Sequence, residues 1–135
     1  MSTIFNDIQA ALDTRLVSMS GGYAIAFPNI PYEPEAGTTY LRPTFLPADT
    51  SQAALGDNGK DITVGIYQVD VFNPAGSGRT SIPDTIADHF KRGTNLAYNG
   101  ITLRIQSVSI LSATIDGSWQ IVPVSISFYT YTDAR

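Results

Sequence analysis

Asp61-Ile-Thr-Val-Gly-Ile-Tyr-Gln-Val-Asp-Val-Phe-Asn73 decides the fold. Tyr67, Val69 and Val71 alternate with Gln68, Asp70 and Phe72, and β-branched residues dominate, which is the pattern of a strand. Asn73-Pro-Ala-Gly-Ser-Gly78 breaks it. A helix is then predicted from about Ile82 to Arg92. Ser81 is placed to cap it, Pro83 suits its first turn and Gly93 stops it, with Ile82, Ile86 and Phe90 as its buried stripe. A strong strand followed by a short amphipathic helix points to a mixed fold.

Toward the N-terminus, Tyr40 to Leu46 reads as a strand in which Pro43 removes a ladder donor, a mark of an edge or bulge. Pro47 to Lys60 reads as a long polar loop containing Gly56-Asp57-Asn58-Gly59, longer than compact domains usually carry without a function. Pro28 to Gly37 holds three prolines, which stiffen an extended arm. A short strand is expected at Tyr23–Phe27. Ile4, Phe5, Ile8, Leu12 and Leu16 fall on one face at helical spacing, with Asn6, Gln9 and Asp13 opposite. That helix is expected to begin with Ser2 or Thr3 as its cap and to end near Val17.

Toward the C-terminus, Leu96–Tyr98 and Ile101–Val108 flank Asn99-Gly100, a hairpin signal. Asp116-Gly117 turns the chain into a last strand, Trp119 to Thr132. There Val122, Val124, Ile126 and Phe128 share one face, and Trp119, Ile121, Tyr129 and Tyr131 share the other. Pro123 implies a bulge or an edge within that strand. The expected architecture is α+β: residues 1–135 as a single domain, a mostly antiparallel sheet packed by two helices, with a long loop between strands.

Composition narrows the function. The chain has 135 residues, 8 Lys+Arg against 12 Asp+Glu, and a net charge of −4. Charged residues make up only 15%, while Ser and Thr number 12 and 14. Such a neutral, hydroxyl-rich surface suits burial against partners. No cysteine is present, so thiolate catalysis, disulfide frameworks and Cys-based zinc sites are excluded. The single histidine, His89, cannot make a multi-His metal site. No apolar run approaches a membrane span, no secretion signal is visible, and scattered cations give no footprint for gripping nucleic acid. A soluble, cytoplasmic chain is expected.

The remaining constellations have plain structural readings. Gly76-Ser-Gly-Arg-Thr-Ser81 lacks phosphate-loop spacing and reads as a turn feeding a helix. His89 lies at the rim of the buried stripe, whereas Asp84 and Asp88 point away, and no nucleophile elbow exists, so no triad forms. Asp84, Asp88, Lys91 and Arg92 make a polar helix face, with Asp88 and Arg92 placed to pair. Glu33 with Glu35, and Asp57 with Asp61, match no calcium loop. No reactive centre emerges. The low charge, stiff arm, long loop and edge prolines describe a subunit that completes itself against neighbours.

Tyr40-Leu-Arg-Pro-Thr-Phe-Leu-Pro47, Gly65-Ile-Tyr-Gln-Val-Asp-Val71 leading into Pro74-Ala-Gly-Ser-Gly78, and Ile86-Ala-Asp-His-Phe-Lys-Arg-Gly93 closely resemble the phage tail terminator-like family. Ala26-Phe-Pro-Asn29 and Trp119-Gln-Ile-Val-Pro-Val124 do so too, and the resemblance runs over nearly the whole chain. It implies a virion subunit without enzymatic activity or cofactor. Such subunits form a ring, typically hexameric, at the head-proximal end of the tail, stop tube polymerisation there and offer a surface to head-completion or connector proteins. An acidic lumen would let DNA slide through without specific binding, and no membrane is involved. Assembly is expected in the host cytoplasm. A closed ring needs a head-to-tail interface. On physical grounds, Tyr40, Arg42, Phe45, Leu46, Leu55, Asp57, Lys60, Asp84, Asp88 and Arg92 are the candidate subunit or tube contacts. A head–tail joining protein or tail-tube subunit is the alternative. More remote is a small ligand-binding module with Trp119, Tyr129 and Tyr131 as its platform.

Overall fold

The computed structural model describes residues 4–19, 24–27, 33, 39–52, 60–76, 81–98 and 100–133, and leaves out the side chains of 4, 5, 47–52, 60, 61, 132 and 133. Nine elements follow in chain order: α1 (Ile4–Val17), β1 (Ala24–Ile25), β2 (Tyr40–Gln52), β3 (Lys60–Pro74), α2 (Ile82–His89), β4 (Asn95–Tyr98), β5 (Ile101–Ile110), β6 (Thr114–Asp116) and β7 (Trp119–Asp133). The strands form one sheet in the order β1-β2-β3-β7-β5-β4, with β6 also paired to β7. Every pairing is antiparallel except β1 with β2. The α+β reading stands. The capping residues Ser2 and Thr3 and most of the Pro28–Gly37 arm lie outside the described residues.

The long loop expected from Pro47 to Lys60 is shorter than the composition implied. Strand β2 continues to Gln52 and β3 begins at Lys60, with a register shift between Pro47 and Thr50. Its prolines explain how a proline-rich segment can remain in the sheet. The Leu41 carbonyl accepts from the Ala26 N–H at 2.7 Å, so it points toward β1. Main-chain polar groups alternate sides along a strand, so Pro43 and Pro47 direct their missing donors outward, beyond the β3 ladder. An edge so furnished resists the addition of further strands. Pro123 obeys the same rule: its carbonyl accepts from Leu111 N–H at 2.9 Å, in the break between β5 and β6.

One face of the sheet carries the core. Leu41, Tyr67, Val69, Val71, Leu103, Ile105, Val124, Ile126 and Phe128 meet Ile8, Leu12 and Leu16 of α1 and Ile86 of α2, with Phe90 just beyond that helix. Gly65 belongs to this face. A Cβ built on it would lie 2.8 Å from Phe128 Cζ and 3.1 Å from the Leu46 carbonyl oxygen, so the Phe128 ring occupies the space of the missing side chain.

Two polar contacts bind the helices in place. The Arg15 side chain donates from Nε and Nη2 to the His89 carbonyl at 3.1 and 2.8 Å. His89 Nε2 lies 2.7 Å from the Arg15 carbonyl, which can only accept, so this nitrogen carries a proton. His89 is thus a clasp between α1 and α2. Asp13, expected on the solvated side of α1, is instead half-buried and accepts a hydrogen bond from the Tyr67 hydroxyl on β3. Burial pushes the Asp13 carboxyl above its usual value of 3.8, and the Tyr67 bond offsets part of that. Burial, and then the Asp13 charge and hydrogen bond, push the Tyr67 hydroxyl upward.

The Asp13 shift has a definite sign. The folded state holds a proton that the unfolded chain releases, so this group's contribution to stability is largest below 3.8 and is lost as pH rises through the folded value. Asp13→Asn keeps an acceptor for Tyr67 and removes the titration. Urea melts should show the variant gaining on the native chain as pH rises from about 3.5 to about 7; a difference constant with pH would contradict this.

Helix α2 is shorter than expected. It ends at His89 because the chain turns at Phe90, whose ring is fully buried, and the Phe90 N–H closes the last turn on Ile86. Gly93 lies beyond, at φ +90°. Ser81 holds the N-cap position without a side-chain capping bond; its carbonyl accepts from Thr85 N–H and Oγ1 at 2.9 and 3.0 Å. With Arg92 outside the helix, the expected Asp88–Arg92 pair does not form among the described residues.

Candidate assembly surfaces

Both helices pack on one side of the sheet, so among the described residues no helix covers the other side, the open face. Register assigns Tyr40, Arg42, Thr44 and Leu46 of β2 to it, with Ile66, Gln68, Asp70 and Phe72 of β3. Trp119, Ile121, Ser125, Ser127, Tyr129 and Tyr131 of β7 join them. Arg104 lies opposite Tyr129 on the same face.

Aromatic rings gather at one end. Tyr40 stacks on Phe72 with centroids 4.6 Å apart, and Trp119 meets Tyr40 edge-on at 5.2 Å. Such pairs contribute about 0.5–1.5 kcal/mol each beyond the area they bury. The Arg42 guanidinium sits 4.7 Å above the Phe72 ring and 3.5 Å from Asp70, which also accepts from Gln68 Nε2 at 3.0 Å. The Arg42 side chain is 52% exposed, so the ion pair itself adds little stability. Its arrangement matters more: a flat cation held over an aromatic cluster, ready to meet a second surface.

The opposite end carries Tyr129 and Tyr131, edge-on at 5.8 Å, beside Arg104. Leu46 and Tyr131 are exposed at 46% and 56%, large for apolar side chains on a sheet. A platform joining Trp119 to these tyrosines is not built. Ten residue-to-residue steps along β7 separate Trp119 from Tyr129, roughly 33 Å in a strand, and Trp119 packs into the other cluster.

The candidate contacts divide accordingly. Tyr40, Arg42 and Leu46 share the open face, with Tyr40 mostly buried in its cluster. Phe45 lies on the core face, stacked on Phe128 at 5.8 Å. Asp84, Asp88 and Arg92 are exposed on or beside α2, across the sheet from Arg42. Leu55 and Asp57 lie outside the described residues, as does the side chain of Lys60, the first residue of β3. The sequence places Trp119, Tyr129 and Tyr131 on one face of β7 but does not join that face to Phe72 and Arg104. The alternation in β7 was the available signal, but it could not tell which face the helices would cover.

Among the described residues, no group of three His, Cys, Asp or Glu could hold a metal ion. No helix there is long and apolar enough to cross a membrane.

A family model described as phage tail terminator protein matches residues 7–128. One solved structure shares 25% identity over 99% of both chains, with a TM-score of 0.74. A chain in the virion of a native gene transfer agent particle shares the fold at 18% identity, with a TM-score of 0.61 over 99% of this chain and 100% of that one. No curated protein matches.

Proposed function

The chain belongs to the phage tail terminator family, and from that premise we propose that its copies close into a ring, six in number, on the head-proximal end of the tail tube. The ring ends tube polymerisation and presents the docking surface for head-completion or connector proteins. DNA passes through its lumen without specific binding. The work is mechanical and needs no cofactor. The family match carries the reading, and the open sheet face supports it: an aromatic surface with exposed Leu46 and Tyr131 is suited to burial against another subunit.

A cap differs from a building block in what it does to a growing polymer. One side of the ring must bind the tube end more tightly than another tube ring does, and the other side must refuse the next ring. Purified chain added to polymerising tail-tube protein should therefore shorten the tubes in proportion to its amount, with one ring at one end by negative-stain microscopy. Self-polymerisation into long tubes would favour the tube-subunit alternative instead. Unchanged tube lengths with no ring at the ends would defeat the proposal.

A further inference from the structure

Arg104 has no ion pair or hydrogen bond among the described residues, yet it stands in a groove of about 420 Å³ with Thr102, Tyr129 and Tyr131. Arg42, in contrast, is already committed to Asp70 and Phe72. Across the sheet, Asp84 and Asp88 are exposed one turn apart on α2 and likewise have no ion pair among the described residues. Lys91 and Arg92, also exposed, follow the helix, so its acidic part is the helix itself and its leading end carries Asp84. The molecule therefore presents an exposed cation at the rim of a tyrosine-lined groove on one side and an acidic helix edge on the other.

We propose that the Arg104–Tyr129–Tyr131 groove of one copy receives the acidic edge of α2, Asp84 and Asp88, from the next copy. This rests on the ring reading above and supplies the contact that reading lacks. The two surfaces are different and lie on opposite sides of the sheet, so their union is head-to-tail, the relation that closes into a ring when the rotation allows. A guanidinium can hold a carboxylate through two parallel hydrogen bonds. Arg and Tyr are also the residue types that dominate the energetics of protein contacts. The α2 side chains facing the core, Ile86 among them, stay in place, so the contact needs no rearrangement of the subunit.

Charge exchange tests the pairing in the full-length chain. Ring formation is followed against subunit concentration by native mass spectrometry, alone and on tail tubes. Arg104→Glu should raise the concentration needed by roughly tenfold or more. The melting temperature of the unassembled subunit, measured below the assembly concentration, should stay unchanged because Arg104 is exposed with no ion pair or hydrogen bond among the described residues. Adding Asp84→Arg and Asp88→Arg to that variant should restore assembly. Arg104→Glu rings forming like the native ones would overturn the contact while leaving the ring reading intact. So would a folded triple variant that stays as defective as the single one. A native chain that never forms rings, even on tubes, would defeat the ring reading first.

Discussion

Gly65→Val is expected to unfold at markedly lower urea than the native chain, with a loss of about 3 kcal/mol. The sign is the informative part. Strand propensity alone favours valine over glycine, by up to about 1 kcal/mol, so an unencumbered strand position would gain. Here the new Cβ would enter a space held by Phe128 Cζ at 2.8 Å, with the Leu46 carbonyl oxygen at 3.1 Å on its other flank. Phe128 is 1% exposed and stacked on Phe45, so its ring moves only by disturbing the core. Gly65→Ala should show the same sign with a smaller loss. Phe128→Leu should cost stability on its own, yet make Gly65→Val less harmful, because the smaller side chain vacates part of the contested volume. A double-mutant cycle by urea denaturation measures that coupling. Additive losses would mean that Phe128 is not what excludes a side chain at position 65.

The same residues show what the sequence could convey. The alternation in Asp61–Asn73 and Trp119–Thr132 was legible because side-chain direction in a strand follows from local geometry. Ile8, Leu12 and Leu16 were legible for the equivalent reason in a helix. The second half of β2 was not. Pro47, Asp49, Thr50 and Ser51 read locally as loop, and only β3 alongside, with the Pro47 backbone nitrogen facing away from it, makes them strand. The close fit of Gly65 under Phe128 joins residues 63 positions apart and has no local signature. For the candidate site, exposure of Asp84 and Asp88 followed from their helix positions. The union of Tyr129 and Tyr131 with Arg104 did not, because it depends on β5 lying beside β7. Phe45, named among the candidate contacts, follows the alternation from Leu41 onto the core face.

Phage lacking this chain should produce full heads beside tails of uncontrolled length, with few or no joined particles. A tube grows by adding rings to an exposed end, and nothing in a simple polymer distinguishes one addition from the next. Without a cap, growth continues until tube protein runs out, so a narrow length distribution should become broad and shift upward. On the proposed reading joining should fail in the same cells, because the outer side of the missing ring is what would receive the connector. The two defects separate the readings. Loss of a tail-tube subunit would leave no tubes, and loss of a joining protein alone would leave tails of normal length that do not attach. Supplying the native chain from a plasmid should restore both length and joining. Arg104→Glu supplied in the same way should restore neither at ordinary expression, although its folded subunits accumulate; added Asp84→Arg and Asp88→Arg should restore both. Electron micrographs of lysates provide the measurement: tail lengths and the fraction of heads carrying tails. Tails of native length on heads in the absence of the chain would remove it from length control altogether.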